Sequence, residues 1–149
     1  MKQYIGTKMI QAKPMNRGEY NEYRGWEIPS NENPTDEGYL VKYEDGYESW
    51  SPKEVFEKAY RESYGLTFGM ALELLKKGEK VARLGWNGKN QYIQLASNIS
   101  YKTADDQVIN CEHDAIGNQA IAFVGTSGVQ MGWLASQADM LAEDWCIVG

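Results

Sequence analysis

The sequence predicts an α+β protein built from small antiparallel sheets, each packed with short helices, in two modules. Short alternations of polar and apolar residues, typical of half-buried strands, recur along the chain, and an Asp-Gly pair separates two aromatic runs. Helix-like segments are few and short. Eight of the ten tyrosines lie in residues 1–64, whereas three of the five tryptophans lie in residues 65–149, and we place the module boundary at this change.

The composition is that of a globular protein, with 42% hydrophobic and 12% aromatic residues among 149. No apolar run approaches the roughly 20 residues of a membrane span, and the opening residues have no apolar signal core, so we expect a cytoplasmic protein. A net charge of −6 argues against binding to a polynucleotide, which needs a cationic surface. Cys111 and Cys146 form no CxxC pair, so neither a disulfide framework nor a zinc site is expected.

The first module is predicted to begin with a strand and a hairpin. Residues 4–15 alternate between polar and apolar like a half-buried strand. The Asp45-Gly46 pair lies between two aromatic runs, residues 39–43 and 47–50, and glycine tolerates the positive φ that a tight turn requires. This pattern predicts that the two runs are the strands of a β-hairpin.

A helix is predicted to close the first module. Ser51 followed by Pro52 is typical of a helix start, with serine as the N-cap and proline at the first helical position. The predicted helix spans residues 53–61. We expect it to bury Val55, Phe56 and Tyr60, and the module shows no catalytic residues.

The second module is predicted to open with a helix that begins after Thr67 as its N-cap and ends before Gly78. One face of this helix carries apolar residues at i, i+3, i+4 and i+7. These residues are Phe68, Ala71, Leu72 and Leu75. A second, short helix is predicted over residues 137–142 with Ser136 as its cap. The predicted strands are residues 80–84, 91–95, 98–101, 120–124 and 145–148.

Two tryptophans are candidate ligand-binding residues. Trp86 lies in a turn between Gly85 and Asn87-Gly88, and Trp133 lies just before the predicted helix start at Ser136. Large aromatic residues are more often core than ligand platforms, but a glycine-flanked turn favours an exposed ring that contacts a ligand or a sister subunit. Trp145, beside the closing strand, is interpreted as core.

The helix start after Trp133 adds candidate polar contacts. Ser136, Gln137 and the neighbouring amides could hold a phosphate or a ribose hydroxyl, although Ser136 could equally be a simple helix cap. Asp139 is favoured in a first helical turn by the helix dipole alone, and it could also accept hydrogen bonds from a ribose or an adenine amine. Both interpretations stay open at this point.

Two further segments carry weaker signals. Cys111 and His113 would share a face of a strand, but a metal site or a cysteine nucleophile needs partners that the sequence does not supply, so a solvated loop is the favoured interpretation. Residues 125–128 (GTSG) lack the spacing of a phosphate-binding loop and are interpreted as flexible, with closure over a ligand as the alternative.

The motifs LTFGMALELLKKGEKVARLGWNG and WLASQADMLAEDWCIV, in this order from Leu66 onward, resemble the second type of Thoeris anti-defence protein of phages. Residues 97–130 depart from shorter members in length and sequence. Residues 1–63 resemble another small phage-encoded module that is sometimes fused ahead of this domain.

The resemblance implies a homotetrameric sponge, not an enzyme, that holds glycocyclic ADP-ribose signals between protomers in the cytoplasm of the infected bacterium. It implies no cofactor and no metal, and some members are thought to hold the cyclic oligonucleotides of CBASS at separate sites. Carried over to this sequence, the implied ligand-binding residues are Trp86, Asn87, Gly88, Trp133, Ala135, Ser136, Gln137 and Asp139. The alternatives are a phage hydrolase of the same signals, or a module that inhibits a host protein by direct contact.

Overall fold

A computed structural model describes residues 1–109 and 119–149 of the chain. The chain divides into two compact units, Met1–Arg61 (unit 1) and Glu62–Gly149 (unit 2). Each unit contains a small antiparallel sheet and two short helices. The predicted α+β class is therefore confirmed.

Unit 1 contains a three-stranded antiparallel sheet in the order β1-β2-β3. Its elements are β1 (Gln11–Pro14), α1 (Arg17–Arg24), β2 (Gly38–Lys42), β3 (Glu48–Pro52) and α2 (Lys53–Ala59). The predicted hairpin is present as β2 and β3, and Gly46 in its turn has a φ of +86°. The first strand is shorter than predicted, because only residues 11–14 pair with β2.

Helix α1 was not predicted, although its start and end follow familiar rules. The Asn16 side chain accepts a hydrogen bond from the Glu19 amide, and the Glu19 carboxylate accepts one from the Asn16 amide. Gly25 ends the helix with a φ of +71°. Tyr20 and Asn21 are its buried side chains. The apolar pattern of this segment is weak, so these two caps were the available signal.

The predicted cap of α2 is wrong. Ser51 pairs with Tyr39 in the β2–β3 ladder, so the strand continues through Pro52, which becomes the N-cap and makes no side-chain capping bond. Val55 is exposed, contrary to prediction. Phe56 is half-buried and stacks on Tyr39 with ring centroids 4.1 Å apart. Pairing with β2 therefore prevailed over the local helix-start signal.

Unit 2 contains a five-stranded antiparallel sheet in the order β10-β4-β5-β8-β9 and a two-stranded hairpin, β6-β7. Its helices are α3 (Phe68–Lys76) and α4 (Gln137–Leu141). Its strands are β4 (Val81–Arg83), β5 (Tyr92–Ser97), β6 (Tyr101–Lys102), β7 (Val108–Ile109), β8 (Gln119–Gly125), β9 (Gly128–Met131) and β10 (Trp145–Ile147).

The core of unit 2 lies between α3 and the sheet. Both predicted ends of α3 are confirmed, since Thr67 Oγ1 accepts a hydrogen bond from the Met70 amide and Gly78 has a φ of +90°. Ala71 and Leu75 are buried as predicted, together with Leu74. On the sheet side the fully buried side chains are Val81, Ile93 and Trp145. The packing of α3 on this sheet fixes one side of the site described below.

Two parts of the predicted sheet are wrong. Residues 98–101 do not form one strand, because Asn98 has a φ of +52° and pairing starts again only at Tyr101. Residues 125–128 are not a flexible loop. Gly125 and Gly128 are paired, with Thr126-Ser127 as the two-residue turn between β8 and β9, an edge strand that the sequence did not predict.

Candidate functional site

The turn around Trp86 and the loop around Trp133 meet within one chain. The two ring centroids are 5.9 Å apart, and the ring planes are inclined by 72°. Trp86 also packs edge-on against Phe123 at 5.4 Å and against Trp145 at 5.3 Å. We call Trp86, Phe123, Trp133 and Trp145 the aromatic cluster. Edge-to-face packing at these distances is favourable beyond its buried area.

The exposure of the tryptophans differs from part of the prediction. Trp145 is fully buried, which confirms its interpretation as core. Trp86 was expected to be exposed, but it is half-buried because it packs against rings from distant parts of the sheet. Trp133 is also half-buried, nearly parallel to Phe123 with centroids 6.4 Å apart. Trp86 and Trp133 therefore lie at the boundary between the core and the surface.

Asp139 joins the two tryptophan segments through four hydrogen bonds. Its Oδ1 accepts from Trp86 Nε1 at 3.2 Å and from Arg83 Nη1 at 2.9 Å. Its Oδ2 accepts from the Ser136 amide at 3.0 Å and from Ser136 Oγ at 2.8 Å. Because all four bonds come from this chain, Asp139 is saturated as an acceptor.

The surroundings of Asp139 favour its charged form. Burial raises the pKa of the carboxyl, but the hydrogen bonds from Arg83, Ser136 and Trp86 outweigh that effect and hold the pKa at about 2, below its ordinary value of 3.8. The pKa of the Arg83 guanidinium shifts in the opposite direction. Hydrogen bonds to Asp144 and Asp139 raise the pKa of Arg83.

Arg83 extends this network to a second carboxylate. Its Nε donates to Asp144 Oδ1 at 2.9 Å, and Asp144 Oδ2 accepts from the Gly85 amide at 2.9 Å. The hydrogen bond from Arg83 is the main cause that lowers the pKa of Asp144. Trp145 Nε1 adds a bond to the Asp139 carbonyl at 2.9 Å. We call Arg83, Asp139 and Asp144 the charged network, and it holds the Trp86 turn against α4.

Sequence reasoning did not identify Arg83 and Asp144. One signal was available, because Arg83 is the only arginine in residues 65–149 and directly precedes the glycine-flanked turn. The carboxylates that it pairs with lie 56 and 61 residues away in the chain. Spacing along the sequence does not reveal a pairing at that distance.

The two glycines beside Trp86 are needed for close approach rather than for a positive φ. A Cβ at Gly85 would lie 2.9 Å from Asp144 Oδ2, and one at Gly88 would lie 1.8 Å from Gln91 Cδ. Gly88 thus leaves room for the end of the Gln91 side chain.

The predicted anion site at the start of α4 is already occupied by the helix's own residues. Ser136 and Asp139 form a capping box, in which the Asp139 amide donates to Ser136 Oγ and the Ser136 amide donates to the Asp139 carboxylate. The helix spans only five residues, Gln137–Leu141. Ser136 and Asp139 therefore hold the start of α4 in place.

The remaining predicted residues surround the aromatic cluster in different states of exposure. Asn87 and Gln137 are exposed, whereas Ala135 is half-buried. Lys89, in the same turn as Trp86, is exposed as well. These side chains leave polar groups at the surface next to the two tryptophans.

The candidate catalytic residues Cys111 and His113 lie outside the described residues. Within residues 1–109 and 119–149, no group of three or more His, Cys, Asp or Glu side chains is arranged to hold a metal ion. Cys146 has a thiol whose pKa is raised by burial. None of the helices in the described ranges is both long enough and apolar enough to cross a membrane.

Fold and site together define a small α+β domain in which two separate motifs meet at one aromatic surface. The model of the Tad2-like family, the Thoeris anti-defense 2-like domain, matches residues 66–148, which lie entirely within unit 2. The chain belongs to this family. The protein is thus of the Thoeris anti-defence class, and the family description does not indicate catalysis.

A curated relative agrees with this assignment. The chain is similar to Thoeris anti-defense 2 of Bacillus phage SP01, with 43% identity over 90 residues. The aligned region covers 56% of this chain and 94% of the relative. The relative therefore corresponds in length to little more than unit 2.

Proposed function

We propose that unit 2 binds a cyclic nucleotide signal of the Thoeris system, a glycocyclic ADP-ribose made by TIR-domain enzymes, and sequesters it without degrading it. The observation that carries the proposal is the meeting of Trp86 and Trp133 at one half-exposed aromatic surface, 5.9 Å apart. Family membership supplies the class of function. The resemblance to the family also supplies the kind of ligand, and the chemistry of the surface is compatible with it.

The aromatic part of the surface suits a nucleobase. Stacking of a base on an aromatic side chain contributes about 1–3 kcal/mol. Each of the two rings packs against three others, but the Trp86 indole N–H is already bonded to Asp139, so we take Trp133 as the stronger candidate for this contact. Trp86 then packs against the Trp133 ring and holds it in position.

The polar part of the surface suits a pyrophosphate with its sugars. Asn87 and Gln137 offer exposed amide groups that can donate to phosphate or pair with ribose hydroxyls. Arg83 is occupied by two carboxylates, so the proposal assigns the anionic ligand to the exposed Lys89, which lies in the same turn as Trp86. Ala135 and Gly88 shape the backbone between these groups.

Sequestration requires tight binding and no turnover. To compete with the defence effector, the protein must bind the signal more tightly or be more abundant, and each tenfold gain in affinity requires about 1.4 kcal/mol. The proposal includes neither a catalytic residue nor a cofactor. It places the protein in the cytoplasm of the infected bacterium, where the signal is made.

We further propose that copies associate as a homotetramer. The edge strand β9 exposes all four of its residues, including Val129 and Met131. Leu134 and Leu141 are also largely exposed beside the candidate site. An open strand edge with apolar side chains favours association with another copy. A separate site for the cyclic oligonucleotides of CBASS is part of the family expectation.

The test is calorimetric titration of the protein with a glycocyclic ADP-ribose. We expect binding by the natural chain and a loss of about 5- to 150-fold in affinity for Trp133→Ala, because one stacking contact is removed. Gln137→Ala changes an exposed side chain and is expected to weaken binding with the fold intact. The matched control is Trp26→Ala, which removes an exposed tryptophan from unit 1 and is expected to leave affinity unchanged.

Two results would overturn the proposal. Absence of heat with every cyclic nucleotide signal would favour direct inhibition of a host protein through the tryptophans. Equal affinity of the natural chain and a correctly folded Trp133→Ala would place the ligand elsewhere. Circular dichroism of each variant separates loss of binding from loss of fold.

A further inference from the structure

Residues 1–10 form an extended N-terminal arm that precedes β1 and belongs to no helix or strand. Tyr4 and Ile5 in the arm are 87% and 96% exposed. Within the described part of the chain, no hydrogen bond or ion pair involves residues 1–7. The arm is held near its base, where the Lys8 ammonium lies 5.2 Å from the centroid of the Tyr43 ring. Apolar side chains presented in this way are typical of a segment that docks on another surface.

The arm differs in charge from the rest of the protein. Residues 1–15 contain Lys2, Lys8 and Lys13 and no acidic residue. The other 134 residues contain 12 basic residues against 21 acidic ones. The arm is thus a cationic segment on a strongly anionic chain, and it is complementary in charge to another copy of the same protein.

Unit 1 contains a groove of about 690 Å³ whose lining is complementary to the arm. Trp50 and Val55 provide apolar surface in it, and Val55 is 60% exposed. Lys53 is the one cation among the lining residues and is paired with Glu37 at 3.0 Å. The acidic lining residues are Asp36, Glu37, Glu54 and Glu57. The Arg17 guanidinium lies 4.9 Å from the centroid of the Trp50 ring, so Val55 is the more accessible apolar side chain, and the lining carries an excess of negative charge.

The strand register places this groove away from the arm of the same copy. The arm enters β1 at Gln11, which pairs with Lys42 at one end of the sheet. The groove lies at the other end, where Gly38 pairs with Pro52. Lys42 and Gly38 are four residues apart in β2, about 13 Å. Lys8 lies over Tyr43, which follows Lys42, so the arm leaves the sheet at the end away from the groove. Docking within one copy would require the arm to reverse direction.

We propose that the N-terminal arm of one copy docks in the acidic groove of unit 1 of a second copy. Lys2 pairs with Glu54 or Glu57 of that copy, while Tyr4 and Ile5 lie against its Val55. When two copies exchange arms, each arm fills the groove of the other copy, and the two contacts are identical, as in a two-fold symmetric interface. The inference concerns unit 1 and is independent of the ligand proposed for unit 2.

The test is carbodiimide coupling of the full chain in an equal mixture of ¹⁴N and ¹⁵N protein, read by mass spectrometry of the cross-linked peptides. Carbodiimide joins a lysine amine to a carboxylate that it contacts. We expect peptides that join Lys2 to Glu54 or Glu57 and that contain one light and one heavy partner. Cross-links of these residues that are only light–light or heavy–heavy would mean docking within one copy, and they would overturn the proposal, as would their absence.

Charge reversal provides a second test on the same readout. Glu54→Lys is expected to lower the yield of the Lys2–Glu57 cross-link about fivefold, because an exposed attraction becomes a repulsion. Glu44→Lys is the matched control, since it reverses an exposed acidic residue outside the groove and should leave the yield unchanged. Mixing Lys2→Glu chains with Glu54→Lys chains is expected to restore association between unlike copies, because each arm then meets a groove of opposite charge. Association is measured by photo-cross-linking, with Tyr4 of these chains replaced by a photoreactive phenylalanine. Failure of this rescue, or an equal loss with Glu44→Lys, would contradict the proposed pairing.

Discussion

Replacement of Asp139 by asparagine tests the role assigned to the charged network. The change keeps the shape of the side chain but removes its negative charge. Oδ1 can still accept from Arg83 and Trp86, whereas the new amide group faces the backbone N–H of Ser136, which is itself a donor. The Ser136 amide then loses its acceptor, and Arg83 loses one of its two ion pairs.

The magnitude follows from the pKa of Asp139. A pKa of about 2 in place of 3.8 corresponds to about 2 kcal/mol of stabilisation of the charged form in the folded state. The unsatisfied amide of Ser136 adds about 1 kcal/mol. We therefore expect Asp139→Asn to lower the free energy of unfolding by about 2–3 kcal/mol at pH 7. For a domain of this size, that is a fall of about 10–20 °C in Tm.

The sign of the pH dependence is fixed by the direction of the shift. Because the folded-state pKa lies below the ordinary value, the stabilisation is fully present above about pH 5 and is lost as the pH falls toward 2. The difference between the natural chain and Asp139→Asn should thus shrink by about 1 kcal/mol between pH 7 and pH 3.

The assay is urea unfolding followed by tryptophan fluorescence at both pH values. Asp106→Asn is the matched control, since Asp106 is an exposed partner of Lys102 and asparagine tolerates its φ of +70°. We expect the control to change stability by less than about 0.5 kcal/mol. An unchanged midpoint for Asp139→Asn at pH 7, or a difference that is the same at both pH values, would refute the reasoning.

Three further substitutions test the packing of unit 2 by the same unfolding assay. Gly85→Ala should cost about 1–3 kcal/mol because its Cβ would lie 2.9 Å from Asp144 Oδ2, on a carboxylate that Arg83 and the Gly85 amide hold in place, whereas Gly65→Ala, whose Cβ would meet only an atom at 3.9 Å, should be nearly neutral. Trp145→Phe removes a buried indole and its N–H bond, and a loss of about 2–3 kcal/mol is expected; a neutral result would show that this bond contributes little. Arg83→Lys keeps the charge but cannot hold both carboxylates with the same geometry, so we expect a loss of about 1–2 kcal/mol, and full stability would contradict the bridging role.

Local signals allowed much of unit 2 to be predicted from the sequence. Thr67, Gly78 and Ser136 act within a few residues of themselves, so the ends of α3 and the start of α4 follow from adjacent residue types. Local signals do not predict the structure where a residue pairs with a strand that is distant in sequence. Ser51 has the residue type of a helix cap, yet its pairing with Tyr39 keeps it in β3.

The sequence indicated that Trp86, Trp133 and Asp139 belong to one candidate site, but it did not predict the contacts that hold them together. The half-burial of Trp86 depends on Phe123, and the saturation of Asp139 depends on Arg83; both partners are remote in sequence. A carboxylate in a first helical turn looks the same in sequence whether it binds a ligand or an arginine. The network gives Asp139 and Ser136 a positioning role, and our proposal takes Trp133, Asn87 and Gln137 as ligand contacts.

Release of the bound molecule shows whether the protein holds the signal intact. The protein is incubated with a glycocyclic ADP-ribose, separated from free ligand by gel filtration and heat-denatured, and the released molecule is identified by mass spectrometry. We predict recovery of the unchanged cyclic signal in stoichiometric amount, with a much smaller amount from Trp133→Ala. Recovery of a linear product would mean hydrolysis, and recovery of no nucleotide would mean that the aromatic surface serves another partner.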